Sequence, residues 1–208
     1  MTKTVDTQTH SGSPAVTMWF DPVCPYSWNT ARWLNSAAIA RGFDIDWQLA
    51  NLAILNEGRE LPPPQRARMA DSGRIGRLMA AVQRDKGIAG LATAYFTFAE
   101  RYFTQPPGNI DDSLIHDVLT SVAARETTPS ALTDESLDEL LKRSHGAGQR
   151  ALGEPGGSPI LSIDGRAFFG PVLSAVPTAE RTTALFDAVA TLAATTPFSQ
   201  LQRPRTAA

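Results

Sequence analysis

The fold is decided by residues 16–28, with the sequence Val16-Thr17-Met18-Trp19-Phe20-Asp21-Pro22-Val23-Cys24-Pro25-Tyr26-Ser27-Trp28. The first five of these residues are mostly β-branched or aromatic and stop at Asp21-Pro22, which is typical of a buried strand that ends in a turn. Pro25 suits the first turn of a helix, because its missing N–H would have no intrahelical partner there. The segment therefore predicts a strand-to-helix junction, with Cys24 at the N-terminus of the helix.

The rest of the chain predicts a second strand, a helical region and a hairpin. Residues 43–52 alternate apolar and polar side chains, which favours a half-buried strand, and residues 65–152 show helical periodicity. Asp164-Gly165 is a preferred dipeptide for a type I′ turn, so it predicts two short strands around it. Thr178 is the predicted N-cap of a last helix.

This element order predicts an α/β chain, βαβ followed by an all-helical insertion and then ββα. We predict an N-terminal half at residues 15–57, the insertion at 58–152 and a C-terminal half at 153–203. The polar residues 1–14 are expected to be a disordered tail rather than a signal peptide or a membrane anchor, and the chain from about Pro204 is expected to be disordered as well.

Composition excludes several classes of protein. The chain has 208 residues, 42% of them hydrophobic, and 19 Lys+Arg against 21 Asp+Glu give a net charge of −2. This balance favours a soluble, cytoplasmic globular protein with no nucleic-acid or membrane partner. The single cysteine, Cys24, excludes an internal disulfide, a CxxC redox pair and a cysteine-rich metal site.

Cys24 is the candidate nucleophile. Backbone N–H groups at a helix N-terminus stabilise a thiolate, and such sites lower the thiol pKa from about 8.5 into a range of roughly 3.5–7.5. Ser27, one turn later, can donate its hydroxyl to the sulfur but cannot attack a mixed disulfide. The alternative is that Cys24 is only a small buried hydrophobic residue.

Three segments carry a resemblance to a known family. They are residues 19–28, residues 52–57 (Leu-Ala-Ile-Leu-Asn-Glu), and the run from Ser158-Pro159 through Asp164-Gly165 to Phe168-Phe169-Gly170-Pro171. Together they resemble the DsbA-type thioredoxin-fold proteins, most closely the mycothiol-dependent nitroreductase branch. The resemblance implies a thioredoxin fold with a helical insertion over the active site.

The resemblance also implies roles for individual residues. It makes Cys24 the nucleophile, Pro25 and Tyr26 the dipeptide that tunes it, and Ser158-Pro159 a cis-proline turn beside it. Asn56 matches a position near the thiol that binds substrate or cofactor, and its alternative role is that of a turn residue.

The chain departs from this family at Ser27, where the usual CPWC motif has its second cysteine. A dithiol cycle is therefore impossible within one chain. The motif Cys-Pro-Tyr-Ser is similar to that of monothiol glutaredoxins. The run Pro-Tyr-Ser-Trp is similar to kappa-class glutathione transferases and hydroxychromene-carboxylate isomerases, in which serine holds the thiol of bound glutathione.

Two enzymatic hypotheses follow from one thiol without a partner. In the first, the Cys24 thiolate attacks a disulfide or an electrophile, and an external low-molecular-weight thiol such as mycothiol resolves the intermediate. In the second, Cys24 adds reversibly to a conjugated polyene or cinnamoyl-like acyl substrate, and the protein is a redox-neutral cis-trans isomerase. A binding module or chaperone that has lost the chemistry is a third, non-enzymatic interpretation.

The implied partners are a small-molecule substrate, free or on an acyl carrier protein, and mycothiol or another thiol as co-substrate. We expect no tightly bound cofactor and no metal, and a homodimer is compatible with the sequence. Three weaker candidates each have a functional interpretation and a structural one, and we prefer the structural one. The functional interpretations are an arginine face that could hold a carboxylate or phosphopantetheine, two histidines that could act as bases, and an aromatic stripe that could line a pocket. These are Arg66, Arg74, Arg77 and Arg84; His116 and His145; and Tyr95, Phe98 and Tyr102.

Overall fold

A computed structural model describes residues 12–104 and 108–204. Most of the predicted N-terminal tail and residues 205–208 lie outside these ranges. The sheet contains β1 (Val16–Phe20), β2 (Ile45–Leu49), β3 (Ile160–Ile163) and β4 (Arg166–Phe169). Its strand order is β2-β1-β3-β4, with β1 parallel to β2 and both other pairs antiparallel. The predicted α/β arrangement, βαβ followed by ββα, is confirmed.

Six α-helices accompany the sheet within the described ranges. They are α1 (Pro25–Arg41), α2 (Leu52–Leu55), α3 (Pro63–Thr104), α4 (Asp112–Ser121), α5 (Asp138–Leu152) and α6 (Ala179–Ala194), with two 3₁₀ turns at Pro129–Thr133 and Glu135–Leu137. Helix α3 is broken at Gly87, whose φ of 69° and ψ of −166° are not helical. In sequence, α3, α4 and α5 lie between β2 and β3. In the described residues, no helix combines the length and apolarity that a membrane span requires.

The sheet is covered on both faces. Trp19 and Phe20 are neighbours on β1, so their side chains point to opposite faces. Trp19 packs against α5, where a Cβ added to Gly148 would lie 2.8 Å from the Trp19 Cγ. Phe20 stacks on Tyr95 of α3 with ring centroids 3.9 Å apart. The helical region therefore contacts both faces of β1, close to the end from which Cys24 follows.

The local predictions have mixed outcomes. The turn at Asp164-Gly165 is confirmed, since both residues have positive φ, 51° and 76°. Leu137, Leu140 and Leu141 predict a helix that ends near His145-Gly146, but the helix continues to Leu152 and ends at Gly153, whose φ is 86°. Inside α5, the Trp19 ring lies so close to Gly148 that it leaves no room for a side chain there. Thr178 is the N-cap of α6 by position, although its side chain makes no capping hydrogen bond.

Candidate active site

Cys24 occupies the N-cap position of α1, directly after the loop that leaves β1. Its backbone is extended, with φ −88° and ψ 116°, and its carbonyl accepts the N–H of Trp28 at 3.1 Å. Pro25 is the first residue of the helix. The predicted strand-to-helix junction is confirmed. The side chain is only 5% exposed, so the thiol lies beneath the surface.

The loop before β3 holds the thiol from the other side. The Ser158–Pro159 peptide bond is cis, as the resemblance implied. The Cys24 thiol donates a hydrogen bond to the Ser158 carbonyl oxygen at 3.3 Å. The Ser158 hydroxyl accepts the Asp21 backbone N–H at 2.7 Å and lies 2.5 Å from the Ser27 hydroxyl. Cys24, Ser27, Ser158 and Pro159 are therefore brought together at one point.

The two serine hydroxyls share one hydrogen bond, which either of them can donate. Ser158 Oγ also accepts the Asp21 backbone N–H. The Ser27 hydroxyl hydrogen-bonds to the Cys24 sulfur and lowers the pKa of that thiol. Ser27 thus hydrogen-bonds to the nucleophile, but its hydroxyl cannot attack a mixed disulfide as a second thiol would.

The ionisation of Cys24 differs from the sequence expectation. Burial raises the pKa of the Cys24 thiol, and the charge of Asp21 raises it further. The backbone N–H groups of Ser27 and Tyr26 and the Ser27 hydroxyl lower it, but they do not offset the desolvation. The expected lowering of the pKa is therefore wrong. The resting group is a neutral thiol, in agreement with its role as a donor to the Ser158 carbonyl.

Asp21 is a buried carboxyl that joins three parts of the site. Its Oδ1 accepts the Val23 N–H at 2.9 Å, and its Oδ2 accepts the Leu52 N–H at 2.7 Å and the Ser72 hydroxyl at 2.5 Å. It is 0% exposed, and burial raises its pKa. The sequence interpretation used Asp21 only as a strand end. The sequence does contain a signal for this role, since a carboxyl residue stands directly after a strand and three residues before the cysteine.

Aromatic side chains of α3 pack against Trp28, which lies one helical turn after Cys24. The Trp28 ring meets Tyr95 edge-on at 6.0 Å and Phe96 at 5.4 Å. Tyr95 and Phe98 are 0% exposed and Tyr102 is 6% exposed, so the aromatic stripe of α3 is core, as preferred. The Tyr95 hydroxyl has no hydrogen-bond partner in the part of the chain that the structure describes.

The two other residues predicted for the site are Tyr26 and Asn56. Tyr26 is half-buried in the first turn of α1. Asn56 ends α2, where its Nδ2 donates to the Leu52 carbonyl at 2.8 Å and lies 3.7 Å from Met69 Sδ. These contacts are those of a turn residue, and a substrate-binding role for Asn56 stays a prediction.

The histidines take structural positions. His145 lies inside α5, is buried, and its Nδ1 accepts the Asn51 backbone N–H at 3.2 Å. Burial lowers the pKa of His145, so it is neutral at pH 7. His116 lies on an exposed part of α4, 3.5 Å from Thr120 Oγ1.

The arginine face has partners within the chain. Arg77 binds both carboxylate oxygens of Asp138, at 2.6 and 2.9 Å. Arg74 binds Asp71 at 2.7 Å, and Arg66 binds the Leu61 carbonyl at 2.8 Å. Arg84 lies near enough to Asp134 to help lower the pKa of that carboxyl. These contacts agree with the structural interpretation of this face.

Comparison with known proteins places this site in a family. Residues 23–203 match the Rv2466c-like family, described as mycothiol-dependent nitroreductase Rv2466c. The chain belongs to this family. Membership of this family supports an enzyme of the thiol oxidoreductase class. The chain is also 25% identical over 191 residues to uncharacterized protein Rv2286c of Mycobacterium tuberculosis, covering 91% of this chain and 81% of that protein.

Solved structures share the fold of this Rv2466c-like protein. A 2-hydroxychromene-2-carboxylate isomerase superposes with a TM-score of 0.58 at 15% identity, over 88% of this chain and 98% of that one. The cytosolic disulfide reductase DsbM from Pseudomonas aeruginosa, solved with GSH, gives 0.54 at 13% identity, over 84% and 97%. At these identities the likeness shows the fold alone, and it confirms the DsbA-like thioredoxin fold.

Proposed function

We propose that the protein is a monothiol oxidoreductase or transferase in which Cys24 is the nucleophile and an external thiol, mycothiol, completes the cycle. The observation that carries the proposal is the position of Ser27. Its hydroxyl lies in the first turn of α1, 2.5 Å from Ser158 Oγ, where the dithiol relatives have their second sulfur. Cys24 is the only cysteine of the chain, so the second sulfur of each cycle comes from solution.

The cycle balances with one protein thiol. The Cys24 thiol loses its proton, and the thiolate attacks one sulfur of a substrate disulfide, forming a mixed disulfide and releasing the other sulfur as a thiolate. A mycothiol thiolate then attacks the substrate-derived sulfur of that mixed disulfide. This step regenerates Cys24 and leaves mycothiol and the substrate group joined as a new disulfide, so no net oxidant or reductant is required.

The surroundings of the sulfur constrain this cycle in two ways. The Ser158 loop lies directly against the sulfur, so a substrate group attached to Cys24 would extend away from that loop. The thiol is only 5% exposed, and attack on a disulfide needs an open line of approach to the sulfur, so the cycle requires the site to open around Cys24.

The test is to incubate the reduced protein with the symmetric disulfide of mycothiol and to measure the intact mass. We expect one mycothiol adduct on Cys24 and its removal by added free mycothiol. Glutathione disulfide in a parallel incubation tests which thiol the site prefers, and Cys24→Ser is the control that forms no adduct. A protein that alkylates fully after unfolding but never forms an adduct while folded would contradict the proposal.

A second candidate function uses the same nucleophile without redox chemistry. The presence of one thiol favours it, because reversible addition to a conjugated acyl group needs no second sulfur. The Cys24 thiolate would add to the β-carbon, the former double bond would rotate as a single bond, and elimination would release the other isomer and the thiolate.

The two functions differ in their need for a second thiol. Incubation of the pure protein with a cis-configured cinnamoyl thioester, without added thiol, is the discriminating experiment. Conversion to the trans isomer that is lost in Cys24→Ser supports the isomerase. No conversion, together with mycothiol adduct formation on Cys24, supports the oxidoreductase.

A further inference from the structure

Ionisation changes what the Cys24 sulfur needs from its neighbours. In the structure the neutral thiol donates its hydrogen to the Ser158 carbonyl oxygen, 3.3 Å away. A thiolate has no hydrogen to donate, so the same contact would place a negative sulfur against a carbonyl dipole. The anion needs hydrogen-bond donors instead. The donors that the site can offer therefore determine how readily the nucleophile forms.

The donors of α1 meet this need only in part. The N–H groups of Tyr26 and Ser27 and the Ser27 hydroxyl favour the anion, yet burial still raises the pKa of the thiol above its ordinary value. Ser27 also shares its hydroxyl with Ser158, at 2.5 Å. The buried sulfur would gain most from a donor that has no other partner.

Tyr95 is such a donor. Its ring is fixed between the two elements that flank Cys24, stacked at 3.9 Å on Phe20 at the end of β1 and edge-on at 6.0 Å to Trp28 in the first turns of α1. Trp28 lies one helical turn after Cys24, on the same face of α1. The Tyr95 hydroxyl is fully buried, and among the described residues it has no hydrogen-bond partner. A buried hydroxyl without a partner carries a desolvation cost that a function at the site would explain.

We propose that the Tyr95 hydroxyl is a catalytic hydrogen-bond donor that binds the ionised Cys24 sulfur. When the thiol loses its proton to solvent, the sulfur leaves the Ser158 carbonyl and accepts the Tyr95 hydroxyl hydrogen. When the sulfur becomes part of a neutral mixed disulfide, this bond weakens and the hydroxyl is free again. The proposal rests on the proposed function only in taking Cys24 as the nucleophile, so it holds for either reaction.

The electrostatics of Tyr95 agree with this role. Burial raises the pKa of Tyr95 well above its ordinary value, and the charge of Cys24 is the largest charge that raises it further. The phenol therefore keeps its proton above the range in which a tyrosine ordinarily ionises. At neutral pH it is a hydrogen-bond donor and not a second negative charge near the sulfur.

The test is Tyr95→Phe, measured by the pH dependence of Cys24 alkylation and by thiolate absorbance in the ultraviolet. We expect the thiol pKa to rise by about one unit, so that the thiolate fraction at neutral pH falls about tenfold. Tyr102→Phe is the matched control. It makes the same change two turns later on α3, where the pKa of the tyrosine responds to Asp71, Arg68 and Asp21 but not to Cys24.

Two results would overturn the proposal: an unchanged thiol pKa in Tyr95→Phe, or an equal rise in Tyr102→Phe. A second measurement needs no variant of Tyr95. If the hydroxyl binds the thiolate, the tyrosine absorbance of the wild type shifts as Cys24 ionises, and Cys24→Ser lacks the shift. Both readouts are independent of mycothiol, so a protein that shows them without forming a mycothiol adduct would contradict the proposed function and not this inference.

Discussion

The two sides of the Cys24 site are built on different principles. On the side of the thioredoxin sheet, the polar groups of Asp21, Ser27 and Ser158 are joined by hydrogen bonds of 2.5 and 2.7 Å. On the side of α3, the contacts of Trp28 are with aromatic rings, and the Tyr95 hydroxyl has no partner within the described residues. The first side is held by hydrogen bonds, whereas the second is held by packing.

This difference explains the ionisation of the thiol. The backbone N–H groups of Tyr26 and Ser27 and the Ser27 hydroxyl, all in the first turn of α1, lower the pKa of Cys24. Burial acts in the opposite direction and prevails, because it removes the water that would solvate an anion. Packing therefore controls the ionisation of the thiol more strongly than the helix N-terminus does.

Trp28→Ala should have the largest effect on stability, because the Trp28 ring joins α1 to the aromatic side chains of α3. The side chain is 4% exposed, and removing a buried indole costs about 3–5 kcal/mol. Ile39→Ala, on the same helix and 78% exposed, should change the free energy of unfolding by less than about 0.5 kcal/mol. Urea denaturation measures both. A small loss in both variants would mean that the aromatic side contributes no packing energy.

Asp21→Ala should have the next largest effect and tests the polar side. It leaves the Val23 and Leu52 N–H groups and the Ser72 hydroxyl without their acceptor, for a loss of about 3 kcal/mol. Asp187→Ala is the control, because it removes an exposed carboxylate paired with Arg41 and should cost less than about 1 kcal/mol. Equal unfolding midpoints in urea would show that the Asp21 contacts do not hold the site together.

Ser27→Ala changes the thiol rather than the fold. Without the Ser27 hydroxyl the pKa of Cys24 rises further, and alkylation at neutral pH should be about threefold slower. Ser36→Ala on the same helix should leave the rate unchanged, since its hydroxyl is exposed and binds the Arg32 carbonyl. Faster alkylation in Ser27→Ala would mean that this serine shields the sulfur instead of supporting its charge.

The smallest effect is the pH dependence of stability. Because the pKa of Cys24 is raised in the folded protein, the unfolded chain loses the thiol proton first as the pH increases. The free energy of unfolding should therefore fall as the pH rises above about 8.5, the ordinary thiol pKa, and through the higher pKa of the folded state. Denaturation of the wild type beside Cys24→Ser isolates this contribution. Parallel pH profiles would indicate that burial does not raise the pKa.

Local signals in the sequence were sufficient for the framework. The apolar run before Asp21, the proline after Cys24 and the Asp164-Gly165 dipeptide each constrain the backbone within a few residues, and all three interpretations are confirmed. The thioredoxin fold was implied by the family resemblance, and the strand order β2-β1-β3-β4 was first seen in the structure.

The chemistry of the site depends on contacts that no local pattern contains. The sequence around Cys24 does not show that its side chain is buried, and the Asp21 carboxylate accepts hydrogen bonds from Leu52 and Ser72, which lie 31 and 51 positions further along the chain. The helix predicted to end near Gly146 continues through Gly148, whose close contact with Trp19, 129 positions earlier, is not visible in the sequence around it. Long-range packing therefore decided the outcomes that the sequence alone missed.

The break at Gly87 has a consequence for the dimensions of the molecule. An uninterrupted helix of the 42 residues of α3 would extend about 63 Å, whereas a compact chain of this size has a radius of gyration of about 17 Å. The positive φ of 69° is readily accessible only to glycine, so this residue lets the chain reverse direction. The half of α3 before Gly87 thereby brings Ser72 to Asp21, and the half after it brings Tyr95 to Phe20. Both halves of one helix therefore pack against the end of β1, three to four residues before the nucleophile.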